Sequence, residues 1–137
     1  VTTDYQISEE SAQKELSTFL EYYEVEVEDM EDKARKAFDA LLPVIIRGIR
    51  KGMIEFNNDD ENGQCVVQTL RNKKVIKYKE MNGQAKMAMN KKAEDDASGQ
   101  CYALLGSLCG EGETLISKLK GPDLKRAEHI GGMLLFC

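Results

Sequence analysis

The chain has 137 residues, 42% of them hydrophobic and 31% charged, with a formal net charge of −5. That length gives one ordinary domain with a sizeable core. No apolar run approaches the roughly 20 residues that span a bilayer, and the overall acidity argues against non-specific binding of nucleic acid.

The charge is unevenly spread. Residues 1–32 hold eleven acids and a single base, Lys14, whereas residues 33–79 hold eleven bases and five acids. The acidic arm can thus lie against the basic middle of the same chain. Val1-Thr2-Thr3-Asp4 shows no signal-peptide pattern. The four cysteines, Cys65, Cys101, Cys109 and Cys137, form no CxxC pair and match no zinc spacing. Reduced thiols in a cytoplasmic protein are expected.

In chain order, a loose lead-in is followed by Ser8-Glu9-Glu10-Ser11, a helix start with Ser8 as the cap and Ser11 as its competitor. Ala12, Leu16, Phe19, Leu20 and Tyr23 then recur at helical spacing. Glu24-Val25-Glu26-Val27-Glu28 alternates strictly; it reads as a short strand or as a bridge between two helices, the bridge being favoured. Residues 29–51 form the most hydrophobic helical segment, with Met30, Ala34, Ala37, Phe38, Leu41, Ile45 and Ile49 along one side. Leu42, Val44 and Ile46 widen that stripe, which suits a helix buried on more than one side, in the core or at an oligomer interface. Pro43 predicts either a kink near Asp39 or a second helix with the proline in its first turn.

Gly52 ends this region. Met53-Ile54-Glu55-Phe56 and Cys65-Val66-Val67-Gln68-Thr69-Leu70 read as a β-hairpin with a long acidic tip and an Asn62-Gly63 turn signal. Val75-Ile76-Lys77-Tyr78-Lys79 alternates as a strand and is a candidate third member of the sheet. Asn82 caps a helix expected to reach Lys92, with a thin stripe of Met87 and Ala88. Glu94-Asp95-Asp96 opens another that carries Ala97, Cys101, Leu104, Leu105 and Leu108 and ends at Gly110 and Gly112. Leu115, Ile116 and Leu119 make a short further turn. Gly121-Pro122-Asp123 begins the last helix, with Leu124, Ala127, Ile130 and Leu134 on one face. Gly131-Gly132 either breaks that helix or admits a close neighbour. The apolar end, Met133-Leu134-Leu135-Phe136-Cys137, must be packed on the fold or covered by a partner.

The expected class is therefore α+β: one domain, mostly helical, with a hairpin or small three-stranded antiparallel sheet in the middle. Residues 1–51 are an N-terminal helical region, 52–79 the sheet and 80–137 the C-terminal helices.

No catalytic, cofactor or metal site is expected. The acidic segment 57–63 lacks the ligand spacing and flanking helices of an EF-hand and reads as a solvated turn. His129, the sole histidine, reads as a surface or helix-flank residue, although pairing with Cys101 or Cys109 as nucleophile and base is the enzymatic alternative. Arg71, Lys73, Lys74, Lys77 and Lys79 read as the wet face of an edge strand. Their use as a phosphate-contacting strand, in a small nucleic-acid-binding or regulatory protein, is the alternative function. There is no phosphate-loop pattern.

The second half, roughly residues 52–136, resembles the tail assembly chaperones of long-tailed bacteriophages and prophages, particularly the Mu-like type. The likeness is carried by Val75-Ile76-Lys77-Tyr78-Lys79, by Tyr102-Ala103-Leu104-Leu105-Gly106-Ser107-Leu108-Cys109-Gly110, by Leu115-Ile116-Ser117-Lys118-Leu119 and by Pro122-Asp123-Leu124-Lys125-Arg126-Ala127-Glu128. It implies a non-enzymatic protein of the bacterial host cytoplasm. Such a protein binds the helical tape-measure protein before the tail tube polymerises, through apolar helix faces. The docking surfaces implied are residues 30–49 and 124–136, with Phe38, Leu41, Ile45, Ile49, Leu124, Ile130, Leu134 and Phe136 as the partner-binding candidates. Self-association would use the same faces.

Overall fold

The computed structural model describes residues 5–59 and 63–137. The acidic tip at residues 60–62, including the Asn62 turn signal, lies outside them. Helix α1 (Glu9–Tyr22) starts where Ser8 accepts from the Ser11 N–H at 3.1 Å, and it buries Ala12, Leu16, Phe19 and Leu20. Residues 24–28 form a bridge, closed by a single 3-10 turn at Val27–Asp29.

Helix α2 (Asp32–Arg50) runs unbroken through Pro43. The proline neither divides it nor opens a new helix, contrary to the two-helix expectation. Both Pro43 and Asp39, whose carbonyl loses its helical donor, are exposed. Water can satisfy that carbonyl, which reduces the cost of an interior proline.

Strands β1 (Ile54–Asp59), β2 (Gly63–Thr69) and β3 (Val75–Tyr78) form an antiparallel meander in sequence order. β1 is longer than its apolar residues suggest, because Asn57↔Cys65 and Asn58↔Gln64 continue the ladder. Pairing sets Ile54 and Ile76 beside Gln68, and Phe56 and Tyr78 beside Val66, so these residues share one face. That face meets the helices: Phe56 stacks on Phe19 at 4.3 Å between ring centroids. Ile54 fills the space that Gly48 of α2 leaves open.

Helices α3 (Gly83–Asn90), α4 (Ala97–Cys109), α5 (Glu113–Ser117) and α6 (Gly121–Leu134) complete the chain. Asn82 and Asp96 cap α3 and α4, accepting from Ala85 N and Gly99 N at 3.0 and 2.9 Å. The stripe expected on α3 is corrected: Met87 is 65% exposed and Ala85 is the buried residue. At eight residues α3 is too short to bury both sides.

α4 is the central helix. Leu104, Leu105 and Leu108 are fully buried, and it packs on α3, β3, α5 and α6. α6 wedges between α2 and α4. A Cβ on Gly131 would fall 2.7 Å from Cys101 Sγ of α4, and one on Gly132 would fall 2.9 Å from Leu41 Cδ2 of α2. The paired glycines thus admit two neighbours at once, and the helix continues through them. Tyr102 of α4 donates to Glu128 of α6 at 3.0 Å across the same contact.

One buried cluster draws on α1, α2, the sheet, α4 and α6. A polar chain runs through it. Tyr78 donates to Gln68 Oε1 at 2.8 Å, and Gln68 Nε2 donates to the Asp123 carbonyl at 2.8 Å, with Tyr78 and Gln68 both fully buried. Tyr78→Phe removes the donor and leaves Gln68 Oε1 bare. It is expected to cost about 1–3 kcal/mol in urea unfolding, with the m-value unchanged. Among the described residues no helix is long and apolar enough to cross a membrane.

Candidate functional site

The residues expected to face a partner are mostly core. Phe38, Ile45, Ile49, Ile130 and Leu134 are buried, while Leu41, Leu124 and Phe136 are half-buried. Leu41 lies against Gly132, and Phe136 meets Phe38 edge-on at 5.1 Å. The two apolar faces, on α2 and α6, are turned largely on each other and cannot both serve a client. The C-terminal apolar run is likewise packed on the fold, save for Leu135, which is 53% exposed.

What remains open lies on the other flank of α2. Between α1 and α2 runs a groove of about 610 Å³. Its apolar wall is the half-buried Leu42 and Ile46 of α2, over a floor of buried Leu16 and Leu20 from α1 and Phe38 from α2. Leu42 and Ile46 are the residues that widen the stripe of α2 beyond one face, so the groove's signal is present in the sequence. Its partner wall was not readable from α2 alone.

Three arginines line the same groove. Arg35 pairs with Asp39 at 3.4 Å and donates to the Val27 carbonyl at 3.3 Å. Arg50 lies over the Tyr5 ring at 3.7 Å from its centroid and donates to the Ile7 carbonyl at 3.3 Å. Arg47 is exposed. Glu9 and Asp39 are the acids of the lining. The lead-in strap is fixed at one end of the groove, where Gln6 N donates to the Arg50 carbonyl at 2.6 Å.

His129 and three of the thiols hydrogen-bond to backbone carbonyls. His129 Nδ1 is 2.8 Å from the Lys125 carbonyl. A carbonyl only accepts, so Nδ1 carries the proton. Cys65, Cys109 and Cys137 donate to the carbonyls of Gly63, Gly106 and Met133. Burial, with help from Glu128, pushes the Cys101 thiol up to about 11, and burial pushes Cys137 up to about 12. Burial also raises Cys109. Thiols held protonated in this way are weak nucleophiles at neutral pH. Among the described residues no group of three or more potential ligands could hold a metal ion.

The basic strand is also less open than its composition suggests. Arg71 donates from N and Nε to Asp123 at 3.2 and 3.3 Å, and Lys74 lies 4.0 Å from Glu111. Tyr78, the aromatic of that strand, is buried and cannot stack on a base. No protein-family model, curated protein or solved structure matches the chain.

Proposed function

We propose that this is a non-enzymatic binding protein that takes an amphipathic helix of another chain into the α1/α2 groove. Its role would be that of a phage or prophage tail assembly chaperone holding the tape-measure protein in the bacterial host cytoplasm. The observation that carries this reading is the groove itself. It is an open channel between two helices, with a half-buried apolar wall at Leu42 and Ile46 and a charged border of Arg35, Arg47, Arg50, Glu9 and Asp39. A helix with apolar residues at i, i+3, i+4 and i+7 fits such a channel. Acidic residues flanking that stripe would meet the arginines. A tape-measure protein is long and helical, and its apolar stripe needs cover before the tail tube forms. A second copy of this chain would compete for the same groove.

The test uses overlapping peptides from the tape-measure protein of the genome that encodes this chain. Fluorescence anisotropy should detect binding that survives moderate salt, because apolar contact dominates it. Ile46→Asp places a charge on the half-buried wall and should weaken binding about tenfold or more, while the chain stays folded with a modest fall in Tm. Binding that Ile46→Asp leaves unchanged, or a genome with no tape-measure gene, would sink the reading. A steep loss of affinity with salt would point instead to the nucleic-acid alternative through residues 71–79.

A further inference from the structure

Between the last turn of α2 and the first two turns of α6 lies a hollow of about 270 Å³, lined by Val44, Arg47, Lys51, Pro122, Lys125 and Arg126. Four of these six residues are cations and none is an acid. Arg47, Lys51 and Lys125 form no ion pair among the described residues.

Arg126 is the buried member. Its side chain is 12% exposed, and Nη1 is buried without a hydrogen-bond partner. It forms an ion pair with Asp123, whose Oδ1 atom lies 3.7 Å away, too far for a hydrogen bond. Asp123 is also engaged by the backbone and guanidinium of Arg71. Burial, and Arg71 beyond it, pull the Arg126 pKa below the usual arginine value against the lift from Asp123.

Local preference accounts for only half of this cluster. Arg47 and Lys51 complement the negative end of α2. Lys125 and Arg126 lie in the second turn of α6 and gain nothing from its macrodipole. Gathering the four around one hollow adds mutual repulsion. A bound anion relieves that repulsion.

We propose that the hollow is an anion site for the phosphoryl group of a small ligand. Arg47, Lys51 and Lys125 close around its oxygens, and the Arg126 guanidinium adds positive charge from the wall. A multiply charged phosphoryl group matches four cations better than a single carboxylate does. The concavity is compact and has no aromatic lining, which favours a small ligand over a nucleic-acid strand. This inference does not rest on the groove reading.

Pyrophosphate titrated into the full chain at low ionic strength is the test, read by calorimetry and by Tm. Saturable one-to-one binding is expected, with a rise in Tm and an affinity that falls as salt is added. The double variant Lys51→Ala/Lys125→Ala should weaken binding about tenfold or more. Lys125→Glu, at an exposed position, gives an independent reading and should abolish it. Neither lysine lines the α1/α2 groove, so helix binding there should be unaffected. The proposal is overturned if pyrophosphate gives no saturable heat and no rise in Tm, or if Lys125→Glu binds it as well as the parent. It is also overturned if a single-stranded oligonucleotide binds more tightly than pyrophosphate and is lost in the same variants.

Discussion

Gly106→Ala is expected to lower stability by about 3 kcal/mol, although alanine is the better helix former. Gly106 lies inside α4, where exchanging glycine for alanine ordinarily gains about 0.5–1 kcal/mol. Here the added Cβ would fall 2.3 Å from Glu113 N and 2.3 Å from the Gly112 carbonyl carbon. Those are backbone atoms, and no rotamer change can move them aside. The turn they belong to is pinned. Gly110 and Gly112 hold left-handed φ values of 75° and 86°, and Gly112 N donates to the Gly106 carbonyl at 3.1 Å. Relief therefore requires α5 to move away from α4, which places the change at the upper end of overpacking costs.

Gly83→Ala is the control. It falls in the first turn of α3, where a Cβ meets nothing within 4 Å, and should gain about 0.4–1 kcal/mol. Thermal unfolding of the two variants should give shifts of opposite sign, with a fall of about 10 °C for Gly106→Ala. An unchanged Tm for Gly106→Ala would mean that α5 does not close on α4 as described.

The features legible in the sequence are those fixed by a few neighbouring residues. Ser8 and Asn82 announce their helices because an N-cap needs only a side-chain oxygen and an amide three residues on, and Glu94-Asp95-Asp96 announces α4 because carboxylates favour the positive end of the macrodipole. Ile76 and Tyr78 announce a strand because alternate residues face one side. The three-stranded sheet and the α+β class follow from such signals. The destination of each apolar face was not legible, since that depends on which distant element covers it. Ile45 and Leu134 read alike as open or buried until α6 is laid on α2. Gly131-Gly132 reads alike as a break or a contact until Cys101 and Leu41 are known to flank it. Met87 has the right spacing for a stripe, yet no element lies over it. The α1/α2 groove joins residues 16–20 to 38–46, and the cationic hollow joins 44–51 to 122–126. No local pattern links either pair of segments.

Phe38 is the residue on which the reassignment of the docking face can be settled. The sequence places it on the surface that grips a partner, whereas the structure leaves it 1% exposed. Its ring meets Phe136 edge-on and lines the floor of the α1/α2 groove. Phe38→Ala is therefore expected to cost about 3–5 kcal/mol in folding, against a total stability of about 5–15 kcal/mol for a domain. The cost arises in three places: lost burial of the ring, a cavity under α2, and a loosened C-terminal segment now lacking its aromatic neighbour. Urea unfolding should show a large drop in midpoint, and proteolysis should reach the C-terminal segment sooner than in the parent. A docking residue behaves in the opposite way, since its truncation weakens binding and leaves the midpoint where it was. Ile46, a little over two helical turns further along α2 and half-buried on the groove wall, is expected to lose binding with a much smaller fall in midpoint. If Phe38→Ala folds as stably as the parent, α6 and the C-terminal segment do not close over α2, and the α2 face returns as the surface for a client. If it fails as expected while Ile46→Asp remains folded, the same helix serves two purposes on two flanks. One flank then holds the domain together through α6, and the other is left open beside α1.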